Sequence, residues 1–502
     1  MLRIHHGVCD LDASGARWSE KVIDDHDPCM SNKLWVGSVL MDMIRKIVCG
    51  VFLGAVAAQA ADVMSAAYRA QWNAPEVKAR IERGIRENRM AEASVRLPAV
   101  KPGTEVKVEQ LDHAFLFGAN IFNFDQLGSD ELNRKYKEVF GTLFNAATIA
   151  FYWKTFEPEP GQPRCLATEQ DSAAYWNAVK EPWTEFHWRR PSPEKIIAFC
   201  EAKGIAMHGH PLIWGNTKWN HPTWISKDAD KVGEMERLFE KRVREICAYY
   251  KGRIPSWDIV NESVDPVPGK PRYGVMPEDY TFKVFKWAER GFPSPVCFCI
   301  NDSWREVYPP FIRDLIARGA KIDVVGLQMH LFGSQPVLDL VAGKTINHNN
   351  TSWAPADVIR YLEELDTLQR PIHLSEITIP APGGDKRAKA IQAELTRDMY
   401  RLWFSWPSIY RITWWNLVDD CGARGEPLKS GIFTRQMEPK PAFHVLDGLI
   451  NGEWKTRLTV KPAADGRVTF RGFKGRYRLT YTDRDGAAKN VTFSLLKDGD
   501  GL

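Results

Sequence analysis

The order of apolar and amphipathic segments predicts an α/β protein: a (β/α)8 TIM barrel over residues 113–450, with a small antiparallel β module at its C-terminal end. Three observations predict it. From His113 onward, eight near-continuous apolar runs, the pattern of strands buried on both faces, alternate with helical patterns. The first run ends in Gly118-Ala119-Asn120, whereas a doubly wound open sheet, the structural alternative, would carry a glycine-rich phosphate loop there. Two of the runs hold a single glutamate near the C-terminal end, the end at which barrels of this kind place their chemistry.

The chain is long enough for that reading. Its 502 residues are 44% hydrophobic, which suits a large core and not disorder. The formal charge of +4 comes from 67 basic and 63 acidic residues without a long run of either sign, so nucleic acid is not an expected partner. Nine cysteines show no CxxC or Cys/His zinc spacing, and Cys297 and Cys299, two apart on a strand, read as buried small hydrophobes. The 19 tryptophans either fill the core or offer flat faces for stacking on sugar rings.

Residues 1–42 show no hydrophobic period and read as an extension outside the native chain, with Met43 as the start. Met43-Ile44-Arg45-Lys46, the apolar stretch 47–58 and Ala58-Gln59-Ala60 form the pattern of a secretory signal, residues 43–60, cleaved near Ala60. A buried or amphipathic helix is the other reading. The stretch is short for a membrane span, so a secreted or periplasmic protein without a span after cleavage is expected. Residues 61–112 read as an N-terminal preface: a helix opening at Asn73-Ala74-Pro75-Glu76 with Asn73 as its cap and Val77, Ile81 and Ile85 on one face, then a β-hairpin of 93–97 and 105–109 around Pro102-Gly103.

The barrel strands are expected at 115–120, 147–153, 206–214, 254–263, 296–302, 323–330, 371–379 and 410–418. Helices between them include 132–144, Pro193–Lys203 and Val232–Tyr250. A last helix runs from 439 to about 450. The tail, 451–502, changes to short strands at 457–460, 467–470, 476–482 and 489–495, separated by Asp465-Gly466, Lys474-Gly475 and Asp485-Gly486. It reads as a β module that the N-terminal hairpin could complete into a sandwich. Few of its aromatics look exposed, which favours a structural cap over a carbohydrate-binding role.

The candidate chemistry lies in Ser256-Trp257-Asp258-Ile259-Val260-Asn261-Glu262-Ser263 and Pro371-Ile372-His373-Leu374-Ser375-Glu376-Ile377-Thr378-Ile379. Two glutamates on parallel strands can face each other across a cleft, one protonated and one ionised, and such a pair cleaves glycosidic bonds. A single glutamate at a strand end is more often a loop-entry residue or an ion-pair partner. Other strand ends bring His208, His210 and Trp214, then Gln328 and His330, then Trp414, Trp415 and Asn416. These are donors and flat faces suited to sugar hydroxyls and rings, although His208 and Trp414 could each be core residues.

Trp257-Asp258-Ile259-Val260-Asn261-Glu262, Gly209-His210-Pro211-Leu212-Ile213-Trp214, Gly326-Leu327-Gln328-Met329-His330 and Ser375-Glu376, in this order, resemble the signature of family 10 glycoside hydrolases, mostly retaining endo-β-1,4-xylanases on a clan A barrel. The resemblance runs from about Ala114 to Ile450. It implies Glu262 as general acid/base, Glu376 as nucleophile, Asn261 bonded to the sugar 2-hydroxyl, His330 orienting the nucleophile, and His210, Trp214, Gln328 and Trp415 shaping the subsite on the non-reducing side. No cofactor or metal is implied; a xylan-type polysaccharide or oligosaccharide is the expected partner, and oligomeric state is not indicated. Two departures stand out. Where the family shows Glu-Asn-x-x-Lys-Trp on strand two, this chain has Ala150-Phe151-Tyr152-Trp153-Lys154, with Trp153 and Lys154 as candidates to replace it. The tryptophan expected after strand eight is missing from Asp419-Asp420-Cys421-Gly422-Ala423-Arg424. Another β-linked polysaccharide such as a β-glucan, or a carbohydrate-binding protein without catalysis, are the alternatives.

Overall fold

The computed structural model describes residues 63–101, 103–166, 171–179, 191–225, 232–265, 272–273, 276–293, 295–344 and 353–501. The expected extension and signal, residues 1–60, lie outside them. The first helix, Ala66–Trp72, is capped by Ser65, whose hydroxyl accepts from the Tyr68 amide; Asn73 closes this helix. Asn73 therefore does not cap the next helix, Pro75–Gly84, which has Ala74 at its cap. Proline at the first position starts the turn by its preset φ and lacks the N–H that a cap would satisfy. Val77, Ile81 and Ile85 are buried, as their spacing requires.

β1 (Met90–Arg96) and β2 (Val106–His113) do form, but not as a hairpin. β1 pairs antiparallel with residues 467–473, while β2 lies between 457–460 and 475–480. Each strand finds its partner in the distant tail because the tail offers two apolar faces. A local turn signal does not choose between partners.

The barrel follows, built from β3 (Leu116–Asn120), β4 (Ala146–Ala150), β5 (Ala206–His210) with β6 (Ile213–Trp214), β7 (Ser256–Asn261), β8 (Cys297–Ser303), β9 (Val324–His330), β10 (Ile372–Thr378) and β11 (Ile409–Trp414). All pairings are parallel. The order β5-β4-β3-β11-β10-β9-β8-β7-β6 closes on itself through the pairing of β5 with β7, which excludes the open doubly wound sheet. The third strand is split because Pro211 has no N–H for the ladder; beyond it, Leu212 N–H donates to the Asp258 carbonyl at 2.9 Å. The second strand stops at Ala150, earlier than expected, and Trp153 opens a short helix, Trp153–Phe156.

Closure depends on one small residue. A Cβ on Gly209 would lie 2.4 Å from a ring carbon of Trp257, so only glycine lets β5 approach β7 there. The Trp257 ring packs against Phe151, Phe292 and Tyr250 at centroid distances of 4.6, 5.4 and 6.2 Å. Truncating this fully buried side chain to alanine costs about 3–5 kcal/mol. Cys297 and Cys299 pack in a small buried cluster with Val324 and Tyr410.

Helix ends follow their local chemistry. Pro193–Lys203 opens on proline and ends at Gly204 with φ 64°, the left-handed cap that glycine adopts without cost. Ser129 and Asp385 cap the helices Asp130–Val139 and Lys386–Ser405 by accepting backbone N–H bonds. The tail adds β12 (Arg457–Val460), β13 (Arg467–Phe473), β14 (Gly475–Thr482) and β15 (Ala488–Leu495). β1 pairs with β13, and β12-β2-β14-β15 form the facing sheet. Val95, Val106, Val468, Tyr477, Leu479 and Leu495 are fully buried between them. Among the described residues no helix is long and apolar enough to cross a membrane.

Candidate active site

Asn120, Ala150, His210, Asn261, Ser303, His330, Thr378 and Trp414 end the barrel strands on one face, where loops replace the ladder and polar side chains can converge. Glu376 sits within β10 and is 5% exposed. Its Oε1 accepts from Asn301 Nδ2 at 2.8 Å and Gln328 Nε2 at 3.0 Å, and Oε2 lies 3.1 Å from His330 Nε2. Asn301 Nδ2 and Gln328 Nε2 also donate to Asn261 Oδ1, at 2.9 and 3.1 Å. Each amide group thus spends one hydrogen on the carboxyl and one on Asn261, so Asn261 is fixed with its own NH2 turned away from them.

Asn301, at the end of β8, is not singled out in the sequence, yet it is the hub of this cluster. Ser375 Oγ donates to its Oδ1 at 2.5 Å. Space for that amide comes from Gly326, where a Cβ would meet Asn301 Oδ1 at 2.8 Å. The signal that could have found it is the pair Asn301-Asp302 near the end of β8, which matches Asn261-Glu262 at the end of β7 in placing an amide before a carboxyl.

Burial pushes the Glu376 carboxyl up to about 8; the nearby His210 charge opposes this and that of Glu262 adds to it. The direction is opposite to that expected for a group meant to stay ionised. The reason is that burial outweighs the His210 charge and the amide donors, and the Glu262 and Asp258 charges add to it. Burial also pushes His330 down to about 4, so the neutral imidazole donates through Nε2–H to Glu376 while Nδ1, 2.8 Å from Thr378 Oγ1, accepts the threonine hydroxyl.

His210 is held by Asp258, whose Oδ2 lies 2.7 Å from Nδ1; Nε2 points toward Glu376 Oε1 at 3.8 Å. Burial alone would lower His210, but the bond to Asp258 and the charge of Glu376 raise it. Burial alone would raise Asp258, but His208 and His210 hold it well below the usual carboxylate range. Burial lowers His208, whose Nε2 also lies 3.0 Å from Asp258 Oδ2, so both imidazoles address the same carboxyl oxygen. His208, fully buried beside Ser256, is the core histidine of the two expected readings.

Glu262 follows β7 in a left-handed backbone conformation, φ 53°, rare for a residue with a Cβ and typical of places where a side chain is aimed at a task. Its N–H donates to the Asn301 carbonyl at 2.7 Å. Trp214 Nε1 donates to its Oε2 at 3.0 Å, Tyr273 donates its hydroxyl to the same oxygen, and Arg272 Nη2 stands 3.4 Å from it. Neither Arg272 nor Tyr273 is among the expected site residues; they come from the loop, where no periodicity marks them.

Trp415 is buried with its ring 5.3 Å from His210 and 6.1 Å from His330, and donates to Glu426 Oε1 at 3.1 Å. Glu426 also accepts from Asn416 Nδ2 and the Ala423 amide, both at 2.8 Å, folding the loop after β11 without a covering tryptophan. Trp414 is core, its indole N–H bonded to the Asn416 carbonyl at 2.8 Å. Lys154 does not join the cluster as expected. Its ammonium donates to the Lys218 carbonyl at 3.3 Å on the exposed rim. Trp153 is buried and donates to Glu157 at 2.8 Å. Both point away because the strand ends at Ala150 and the chain turns into a helix. Tyr152 takes the cleft position instead, 5.5 Å from His210 and 5.8 Å from both Trp214 and Phe122. Among the described residues no group of three His, Cys, Asp or Glu could hold a metal ion.

The arrangement finds its likeness among known proteins. Over 304 residues the chain is 26% identical to the anti-sigma-I factor RsgI6 of Acetivibrio thermocellus, covering 60% of this chain and 36% of that protein. It is 25% identical to endo-1,4-beta-xylanase B of Thermotoga neapolitana over 53% of this chain and 75% of the enzyme. Among solved structures, xylanase 10B from Thermotoga petrophila RKU-1 in complex with xylobiose superposes with a TM-score of 0.52 at 22% identity, covering 68% of this chain and 95% of that one, a likeness of fold. The sequence pattern of Glycosyl hydrolase family 10 matches residues 114–448, more than half of the chain and the whole run of barrel strands. The chain belongs to Glycosyl hydrolase family 10.

Proposed function

We propose that the chain is a secreted endo-1,4-β-xylanase that cleaves internal bonds of xylan or a substituted xylan by a retaining double displacement. The observation that carries this reading is the convergence on one barrel face of two glutamates with different surroundings, Glu376 among fixed amide and imidazole donors and Glu262 beside a cation and two further donors.

In the first step a Glu376 oxygen attacks the anomeric carbon while the Glu262 proton passes to the departing glycosidic oxygen, leaving a glycosyl ester on Glu376. Esterification removes the charge from Glu376, so Glu262 can now accept a proton from water. That water attacks the same carbon, the ester bond breaks, and Glu376 leaves as a carboxylate with the configuration retained. Asn261 is placed to bond the sugar 2-hydroxyl, and Trp415, Trp214 and Gln328 bound the sugar on the non-reducing side.

Burial raises the proton affinity of Glu376, whereas the reaction needs Glu376 ionised and a proton on Glu262. Two amide N–H groups on Glu376 Oε1 and the His210 imidazole, 3.8 Å from that oxygen, favour the carboxylate at Glu376 and do not have to reorganise when it forms. The Ala58-Gln59-Ala60 stretch supports export, and N-terminal sequencing of the exported protein would find Ala61 first.

The likeness to a protein named as an anti-sigma factor and not as an enzyme supports a second reading, a barrel that binds sugar chains without cleaving them. The experiment that decides is reducing-end release from unbranched xylan, glucuronoxylan, arabinoxylan and mixed-linkage β-glucan by wild type, Glu262→Gln and Glu376→Ala. Turnover of xylan by wild type only supports the reading. Turnover of glucan alone moves the substrate, and tight binding without turnover moves the function.

A further inference from the structure

The loop after β7 is anchored twice to the strand beside it. Asp302, fully buried on β8, accepts from the Val264 amide at 3.0 Å through one oxygen and from Arg272 Nη1 at 2.8 Å through the other. The Arg272 amide donates to Asp265 at 3.0 Å. This brings a guanidinium and a phenol over Glu262, and both address the same oxygen. Arg272 Nη2 and the Tyr273 hydroxyl meet Oε2, as does Trp214 Nε1, which is also 3.2 Å from the Tyr273 oxygen. None of the three reaches Oε1. The Arg272 and Glu262 side chains are 18% and 17% exposed, so this contact is partly shielded from water.

We propose that Arg272 and Tyr273 are positioning residues for proton transfer: they hold Glu262 by Oε2, so that the transferable proton rides on Oε1 and faces the leaving oxygen. The inference rests on Glu262 being the acid/base. A protonated carboxyl presents one oxygen as acceptor and one as donor, and a site with two hydrogen-bond donors and a guanidinium on one oxygen leaves the proton only the other. When the proton departs, the two hydrogen bonds become charge-assisted and the guanidinium gains a full anionic partner, so all three stabilise the transition state more than the ground state. No new bond is made and no further reactant is needed.

The test compares leaving groups. Departure of a sugar alcohol needs the proton, whereas 2,4-dinitrophenolate leaves without it. In Tyr273→Phe, kcat/KM on xylohexaose is expected to fall about tenfold or more, while kcat/KM on 2,4-dinitrophenyl β-xylobioside stays within about twofold. The alkaline limb of the xylohexaose profile moves to higher pH, because a donor to the carboxylate has been removed. The other titratable and charged groups facing Glu262 are Glu376 on β10, His210 on β5 and His330 on β9, with Asp302 on β8 behind Arg272. All of them remain. Arg272→Gln also strips buried Asp302 of its cation, so Tyr273→Phe, which keeps the ring and its packing, carries the test.

Equal falls on both substrates, or no fall on xylohexaose, would overturn the proposal. Glu262→Gln is the control that separates the two levels. If it loses xylohexaose and retains the aryl glycoside while Tyr273→Phe behaves as wild type, only the positioning role is lost. If Glu262→Gln itself hydrolyses xylohexaose normally, the acid/base assignment falls and takes the positioning role with it.

Discussion

The two walls of the cleft differ in kind. On the β10 side Glu376 is a strand residue, locked by Gln328 on the adjacent strand β9 and Asn301 on β8 beyond it, and covered from solvent. On the β7 side Glu262 has just left its strand, sits half-buried, and is held by a loop cation, a phenol and an indole. A group that must form and break a bond at one carbon needs fixed geometry. A group that must give a proton to one oxygen and take one from a water needs a charge reservoir and access. Under the proposed retaining mechanism, the contrast teaches that the same residue type is assigned to different work by what the strand and the loop around it supply.

The most forceful way to break the comparison is to delete each carboxyl and offer azide. Glu376→Ala is expected to lower xylan kcat/KM by at least about 10⁴-fold. With a 2,4-dinitrophenyl xylobioside, azide should then enter from the vacated face and give the inverted α-azide. Glu262→Ala, in contrast, should give the β-azide, because Glu376 still forms the ester first. Product stereochemistry by NMR checks both, and the reverse pattern would exchange the two roles.

A smaller effect is expected at Asn301, whose side chain bonds Glu376 and not the Glu262 carboxyl, while its carbonyl, which alanine keeps, accepts the Glu262 N–H. Asn301→Ala removes one donor from Glu376 Oε1, one from Asn261, and the acceptor of Ser375. A fall of about 10²-fold, mainly in kcat, is expected. Steady-state kinetics on xylohexaose and on the dinitrophenyl glycoside should show the same fall, since a donor to the nucleophile serves both leaving groups. This is the opposite of the Tyr273→Phe pattern.

Much of this was legible in the residues because barrel strands announce themselves by apolar runs and their C-terminal ends by the first polar side chains. Glu262, Glu376, His210, Gln328 and His330 stand at such ends and converge as expected. Asn301 stands at one too, but an asparagine in an otherwise apolar strand reads as a strand terminator until the Gly326 notch shows where its amide goes. Arg272 and Tyr273 were illegible for a different reason: their position is set by Asp302 across a long loop, and no periodicity encodes a contact of that sort. The 93–97 and 105–109 segments were legible as strands and misread as partners. Strand propensity is local, while the choice of β13 and β14 as partners is settled by burial of Val95, Val106, Val468 and Leu479 in one core.

The burial of the Glu376 wall is also testable through stability. Its carboxyl takes up a proton more readily when folded, about 8 against an ordinary 4.5, so between these values the native state binds more protons than the unfolded one. Stability contributed by this group is therefore full below about pH 4.5 and declines as pH rises toward 8. Glu376→Gln keeps the shape and removes the titration. Relative to wild type its unfolding free energy, measured by denaturant titration, should rise with pH across this window, by an amount reaching on the order of a few kcal/mol. Parallel curves for the two proteins would show that Glu376 is ionised throughout.

The smallest expected change distinguishes the rim from the wall on strand two. Lys154 donates to a backbone carbonyl at the exposed edge, so Lys154→Ala should leave kcat and KM for xylohexaose within about twofold. Tyr152 packs edge-on to His210, Trp214 and Phe122 in the cleft, and losing an aromatic from such a pocket removes stacking area and loosens the His210 ring. Tyr152→Ala should raise KM by about tenfold, with a smaller change in kcat. Were the two variants to behave the other way round, the ammonium of Lys154 would be swinging into the cleft when sugar binds, and the charged clamp absent from the β4 end would be supplied from the rim.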